Sequence, residues 1–428
     1  MSKKSLGNGA IYLVTNIINA AIPFLLLPIL TRVLTPSDYG LITMFALVVT
    51  LLGAFAGLSI HGAVNIRFFK MSKQELSEYI CGSLSILIAS SSFIFLLILL
   101  CSDVFYKFTL LPKEWLLLAC AVAGCQFLIN IKLALWQVRK QAVRYGVFKI
   151  LLSLGNALLS LYFIFMITEN WGGRALGIAF SVFVFAIISL ILLFKNKDLT
   201  LKLNKNHITD ALKFGVPLIP HTLGAVAISM VDRFLIANVL GENAVGIYMV
   251  GLQMAMVLAI VADAFVKAYS PWLYQTLNAE TPETKQLVVG ISYLVFFCFL
   301  LSIIPAYIFL KLVFTFFIGE AFLEAIDYIA WFLIGYAFIG MYYTVAGFYF
   351  FTNKTGQLSV ITFSTGVFSF IITYLAIKQW GLLGGAMSFA LSNAFLFFLA
   401  MYNLNNVIKL PWLEVSKAFS SIKGKFYA

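Results

Sequence analysis

Asp263 and Lys267 stand four residues apart inside a long apolar run of a 428-residue sequence. An acid one turn before a base makes a good intrahelical pair. A charge near the middle of a lipid-spanning helix costs about 2.5–3.5 kcal/mol, so it must be paired, reach the interface or face a cavity. Two chemistries fit. The pair neutralises itself so that the helix can insert, or Lys267 offers its charge to an anionic phosphate while Asp263 tunes it or carries a proton. His61 lies 206 residues before Lys267, at the corresponding level of another run, and Arg67 follows His61 by six residues. Cation-capable side chains at matching positions favour the phosphate reading.

Other polar groups within apolar runs extend the set. Asp232 and Arg233 are neighbours, and side chains about 100° apart on a helix pair poorly with each other. Each needs a partner on another helix, as a brace or as part of a coupling site. His221 follows Pro217 and Pro220, a kink signal. It is either a satisfied interior histidine or a pH-sensitive coupling group. Lys132 shares a helical face with Trp136 and Arg139. That face either snorkels to the membrane surface or lines a cavity mouth, with the ring stacking on sugar and the cations on phosphate. Tyr12, Asn16, Asn19 and Pro23 recur at i, i+4, i+7 and i+11, a stripe whose amides suit sugar hydroxyls in a cavity. Gly173, Gly177 and Ser181, and Gly381, Gly385, Ser388 and Ser392, form small-residue seams for helix packing. The aromatics Trp331, Tyr336, Tyr342, Tyr343 and Tyr349 crowd one run, where belt and lipid-facing roles account for most of them.

Hydrolase, transferase and nucleotide-binding motifs do not stand out: there is no Walker loop, no HExxH and no long loop to hold an active site. The three histidines, His61, His207 and His221, are too scattered for a metal site, and the five cysteines suit reduced packing roles. No cofactor is expected beyond a coupling ion.

The elements that must position these groups follow from composition. With 62% hydrophobic and 11% charged residues and a mean hydropathy of +0.99, the chain is an all-α polytopic membrane protein. Apolar runs of about 20 residues give twelve spans, roughly 9–31, 40–62, 79–101, 115–137, 147–168, 174–194, 211–236, 245–268, 286–310, 325–350, 358–377 and 382–403. Lysines and arginines divide twenty to five between the two sets of loops, which places both termini in the cytoplasm. The net charge of +12 is therefore a topology signal rather than a nucleic-acid footprint.

The stretch from Thr31 to Ile42 has an echo from Ala237 to Tyr248, sharing Val33/Val239, Leu34/Leu240 and Gly40/Gly246 at an offset of 206. Trp171-Gly172 and Trp380-Gly381 each open the last run of a half. Two tandem copies of one unit are expected: an N-lobe at 1–194, a cytoplasmic linker at 195–210, a C-lobe at 211–404 and a cytoplasmic tail at 405–428. Six spans per copy make the repeats parallel, related by a pseudo-twofold axis along the membrane normal, with a cavity between the lobes.

Several stretches carry a resemblance: LTRVLTPSDYGLI and SIHGAVNIRFF in the first half, then GVPLIPHTLGAVAISMVDRFLIANVLGENAVGIY and KAYSPWLYQ in the second. Over nearly the whole chain the sequence resembles the bacterial Wzx-type oligosaccharide flippases of the multidrug/oligosaccharidyl-lipid/polysaccharide exporter superfamily. The resemblance implies movement of an undecaprenyl-pyrophosphate-linked oligosaccharide from the cytoplasmic to the periplasmic leaflet of the inner membrane, for O-antigen or another surface polysaccharide. It also implies a two-lobed alternating-access bundle, proton or sodium coupling, and work alongside a polysaccharide polymerase and a chain-length regulator. A multidrug exporter of the same superfamily is the first alternative and a polytopic polymerase the second. The cationic balance inside the spans suits a pyrophosphate better than a cationic drug.

Overall fold

Thr35-Pro36-Ser37-Asp38 is a helix-start signal, and in the computed structural model one helix ends and the next begins there. Residues 3–420 are described, other than 280, 415 and 419, and without the side chains of residues 3–10, 13, 220, 221, 223–225, 227 and 228. Helix α1 (Lys3–Val33) precedes the turn and α2 (Pro36–Phe55) follows it. Thr35 caps α2 through a reciprocal box with Asp38, and Pro36 supplies the first helical residue, where a missing N–H costs nothing. A tight turn at Ala56–Ser59 breaks the helical run, with Gly57, Leu58 and Ser59 all at positive φ, before α3 (His61–Arg67). A second capping box, Ser72 with Glu75, starts α4 (Lys73–Leu100).

The short α5 (Ser102–Thr109) leads to α6 (Lys113–Val138), α7 (Ala142–Met166) and α8 (Trp171–Lys195). After the linker come α9 (Lys205–Gly215) and α10 (Ile219–Leu240), separated at Pro217 by a single 3-10 turn. The chain continues as α11 (Glu242–Ala255), α12 (Val257–Leu277), α13 (Pro282–Phe317), α14 (Ile329–Phe351) and α15 (Thr355–Leu404).

Among the described residues nine helices are long and apolar enough to cross a membrane, and α11 and α12, bent by 41° at their junction, meet the same measure as a pair. The 50 residues of α15 would reach about 75 Å if straight, more than twice a bilayer core. They do not run straight. Gly381 adopts φ 57° and ψ −135°, a region open to glycine, and the chain doubles back. A Cβ at Gly384 would stand 2.0 Å from the Ala376 carbonyl oxygen. Gly381 thus divides α15 between the last two expected spans, 358–377 and 382–403.

Two compact units result, Met1–Gly246 and Ile247–Ala428. In the first, α2 packs on α6, α6 on α8, and α7 on both α1 and α8; α9 lies against α4 and α10 against α2. In the second, α14 is the central helix, packed by α12, α13 and α15. Its position corrects one expectation. Tyr336, Tyr342 and Tyr349 are buried rather than lipid-facing, because a helix surrounded on several sides buries its aromatics all round. Tyr349 donates its hydroxyl to the Ala400 carbonyl at 2.7 Å, so even its polar end is satisfied inside.

Candidate functional site

The charges of the first unit fall into two groups. One group holds the linker. Asp198, three residues past the end of α8, accepts from Lys132 Nζ at 3.2 Å and from Arg139 Nη2 at 2.6 Å. The Lys132 side chain is 0% exposed and that of Asp198 1%; Nζ lies 5.2 Å from the Trp136 ring. The expected face of Lys132, Trp136 and Arg139 exists, but Lys132 neither snorkels nor lines a cavity mouth. Asp198 covers its charge, so Lys132 is a brace. Farther along, Lys202 pairs with Glu78 at 3.0 Å and Asn204 donates to the same carboxylate at 3.4 Å. Arg67, expected to meet a phosphate, makes a two-pronged contact with Asp210, both bonds 2.8 Å. Partners 59 to 143 residues apart thus strap residues 198–210 to the ends of α3, α4 and α6.

The other group lies between α1, α7 and α8. Tyr145, Lys149, Ser153, Asn156 and Ser160 fall within about 80° of arc on α7. The predicted α1 stripe packs on this face. Tyr12 meets Tyr145 edge-on at 5.1 Å. Asn19 donates to the Thr15 carbonyl at 2.8 Å and accepts from the Ser153 hydroxyl; Asn16 is half-buried. Arg174 reaches into the same face through Nη1, which donates to the Asn156 side-chain oxygen, the Asn156 carbonyl at 3.3 Å and the Ser160 hydroxyl. Lys149 stands over the Tyr145 ring at 5.8 Å. Among the described residues neither Lys149 nor Arg174 has a carboxylate within ion-pair distance.

Sequence reasoning finds half of this seam. It marks Asn16 and Asn19 but assigns Lys149 and Arg174 to the loops. The signal that points to the other half is the recurrence of polar residues on α7 at the spacing that marks α1. A second signal is Asn170, whose side chain accepts from the Gly172 N–H and starts α8 before Arg174.

The remaining candidates stand as follows. Lys267 and Asp263 pair at 2.5 Å on α12, both side chains well exposed at 42% and 53%. His61 is half-buried at the start of α3, edge-on to Phe127 at 5.7 Å. Asp232 accepts from the backbone N–H of Arg233 at 2.8 Å, and the two side chains form no ion pair with each other, as expected. The Arg233 Nε is buried without a hydrogen-bond partner among the described residues. The His221 side chain lies outside the described residues. Among the described residues no group of three or more His, Cys, Asp and Glu side chains is placed to hold a metal.

The echoed motifs meet directly within the first unit. A Cβ at Gly40 would stand 1.9 Å from the Glu242 carbonyl oxygen, and one at Gly246 would stand 1.9 Å from that of Pro36. Glu242 and Gly246 are the positions 206 residues after Pro36 and Gly40. Each glycine therefore touches the first residue of the other's helix, the reciprocal pattern that a local twofold relation produces.

The polysaccharide biosynthesis protein family matches residues 5–277, more than half of the chain. The chain belongs to that family. A Haemophilus influenzae protein described as an uncharacterized membrane protein is 26% identical over 82% of this chain and 85% of its own length. Protein 1 of the Lsg locus in the same organism is 26% identical over 87% and 92%. Among solved structures, the lipid II flippase MurJ in an inward closed conformation superposes with a TM-score of 0.70 at 11% identity, covering 99% of this chain and 92% of MurJ. An inward-facing multidrug resistance MATE family transporter of the MOP superfamily gives 0.61 at 16% identity, covering 95% and 96%. The family match agrees with the polysaccharide resemblance read from the sequence, and the fold is one that these solved transporters share.

Proposed function

We propose that the chain flips undecaprenyl-pyrophosphate-linked oligosaccharide repeat units from the cytoplasmic to the periplasmic leaflet of the bacterial inner membrane, for O-antigen or another surface polysaccharide. One observation carries the reading. A member of the polysaccharide biosynthesis family holds intramembrane cations, Lys149 and Arg174, without carboxylate partners among its described residues. An unpaired cation in a low-dielectric setting attracts phosphate strongly, and it repels the cationic substrates of many drug exporters. Lys267 and His61 remain proposed contacts for the pyrophosphate, and Asn16 for the sugar. Asp263, Asp232 and His221 are proposed coupling groups for a proton or a sodium ion. Alternating access between two parallel repeats is the proposed cycle. A polymerase and a chain-length regulator are the proposed partners downstream.

Likeness to the MATE fold favours a second reading, a cation-coupled multidrug exporter. One assay separates the two. Protein reconstituted into vesicles receives a labelled undecaprenyl-pyrophosphate oligosaccharide or a cationic dye, with and without proton and sodium gradients. Leaflet exchange of the lipid supports the flippase. Dye extrusion without lipid exchange replaces it with the exporter. Reporter fusions after Lys202 and Asn243 should report cytoplasm and periplasm respectively; a periplasmic signal at Lys202 overturns the sidedness.

A further inference from the structure

Arg174 is the fourth residue of α8 and could reach water at the nearby end of the helix, as lysines and arginines near span ends ordinarily do. It points the other way. The α7–α8 hairpin is registered by two close approaches, Gly173 on Ile164 and Gly177 on Ser160. Arg174 therefore stands about level with residue 163. Its guanidinium bonds Ser160 and Asn156, and Asn156 is about 10 Å farther from the hairpin turn. A cation carried away from water and into a span needs a partner there.

Its protein partners are neutral, and all three bonds use Nη1. Guanidinium has five N–H donors. Nε and Nη2, the edge that grips a carboxylate or phosphate with two parallel bonds, make no hydrogen bond among the described residues. Ser153 and Asn19 line the same face, and Lys149 lies seven residues from Asn156 on it. Hydroxyls, amides, an open guanidinium edge and a second cation form the donor set of a site for an anionic sugar compound.

We propose that the seam of α1, α7 and α8 binds an oxyanion, with Arg174 as the two-pronged donor, Asn156 and Ser160 positioning it, and Lys149 as a second stop about 10 Å along α7. On the flippase reading, the oxyanion is either the pyrophosphate of the lipid carrier or the carboxylate of an acidic sugar. The chemistry is the same, and the sources separate by experiment.

The test uses the full-length protein in vesicles and three probes: undecaprenyl pyrophosphate, a uronic-acid disaccharide and its neutral counterpart. Arg174→Gln should weaken binding of one anionic probe by about 10- to 100-fold, the scale of lost charge-assisted hydrogen bonds, and leave the neutral disaccharide unaffected. Loss confined to the lipid assigns the site to pyrophosphate; loss confined to the uronic disaccharide assigns it to the sugar. Arg174→Lys keeps the charge but not the fork and should fall between wild type and Arg174→Gln, which guards against a folding defect in the latter. Unchanged binding of both anionic probes in Arg174→Gln, or in Arg174→Lys should the first variant not fold, overturns the proposal. If anion binding depends on Arg174 but vesicles exchange no lipid-linked oligosaccharide, the site stands and the flippase reading fails.

Discussion

Lys132 and Arg174 are both cations within long apolar helices of one unit, and they have opposite surroundings. Lys132 is sealed against Asp198, with Arg139 closing the same carboxylate from the other side. Arg174 meets an amide, a carbonyl and a hydroxyl, all neutral. The difference shows that burial alone does not assign a role to an intramembrane charge; the identity of the partner does. A charge closed by a carboxylate holds chain segments together and is costly to break. A charge held by neutral groups keeps its attraction for an anion that comes and goes.

The largest effect should come from breaking the sealed group. Asp198→Asn leaves Lys132 buried without its counter-charge and should cost about 3–5 kcal/mol of stability, the usual penalty for removing one member of a buried pair. A sharp fall in inserted protein and in thermal midpoint checks it, and Asp198→Asn with Lys132→Met should recover most of the loss. Next comes the helix crossing. Gly40→Leu and Gly246→Leu should each destabilise by about 1–3 kcal/mol or more through overpacking, and by similar amounts because the contact is reciprocal. A large effect at one position and none at the other would break the local twofold relation.

Arg174→Met should sit at the other end of the comparison. The thermal midpoint should hold or rise, since replacing a poorly compensated buried charge by an apolar group is often neutral or stabilising, while transport falls. A midpoint loss as large as that of Asp198→Asn would make Arg174 a brace like Lys132. The smallest stability effect belongs to the exposed pair on α12. Asp263→Ala with Lys267→Ala should change stability by less than about 1 kcal/mol, and export separates its roles. Recovery of export in the double variant relative to Lys267→Ala alone means the pair is structural.

Helix spans and their ends are written locally, which is why they are legible in the sequence. Thr35 and Asp38, Ser72 and Glu75, and Gly381 each act within a few residues. Charge partners are not local. Asp198 is 66 residues from Lys132 and Asp210 is 143 from Arg67, so a single sequence offers no means of pairing them: Arg67 reads as a substrate contact and Lys132 as a snorkelling or cavity-mouth cation. The α1 stripe stands out because asparagines are conspicuous in an apolar run. Its counterpart on α7 sets a single asparagine, Asn156, and Lys149 among Tyr145, Ser153 and Ser160, which pass as ordinary packing residues. Arg174 reads as an interface charge because it stands at the very start of its span, 174–194, and the sequence alone does not show that its side chain turns inward onto Asn156 and Ser160.

The 66 residues between Lys132 and Asp198 also set a clock. A ribosome adding about 5–20 residues per second delivers Asp198 roughly 3–13 s after Lys132. Throughout that interval α6 must tolerate a lysine with no counter-charge, at the cost of a charged residue in a bilayer. Its refuge is the membrane surface, which a lysine side chain can reach by stretching along its own helix. Snorkelling is therefore the geometry expected of Lys132 in the nascent chain, and its burial against Asp198 is expected only after the end of α8 has emerged.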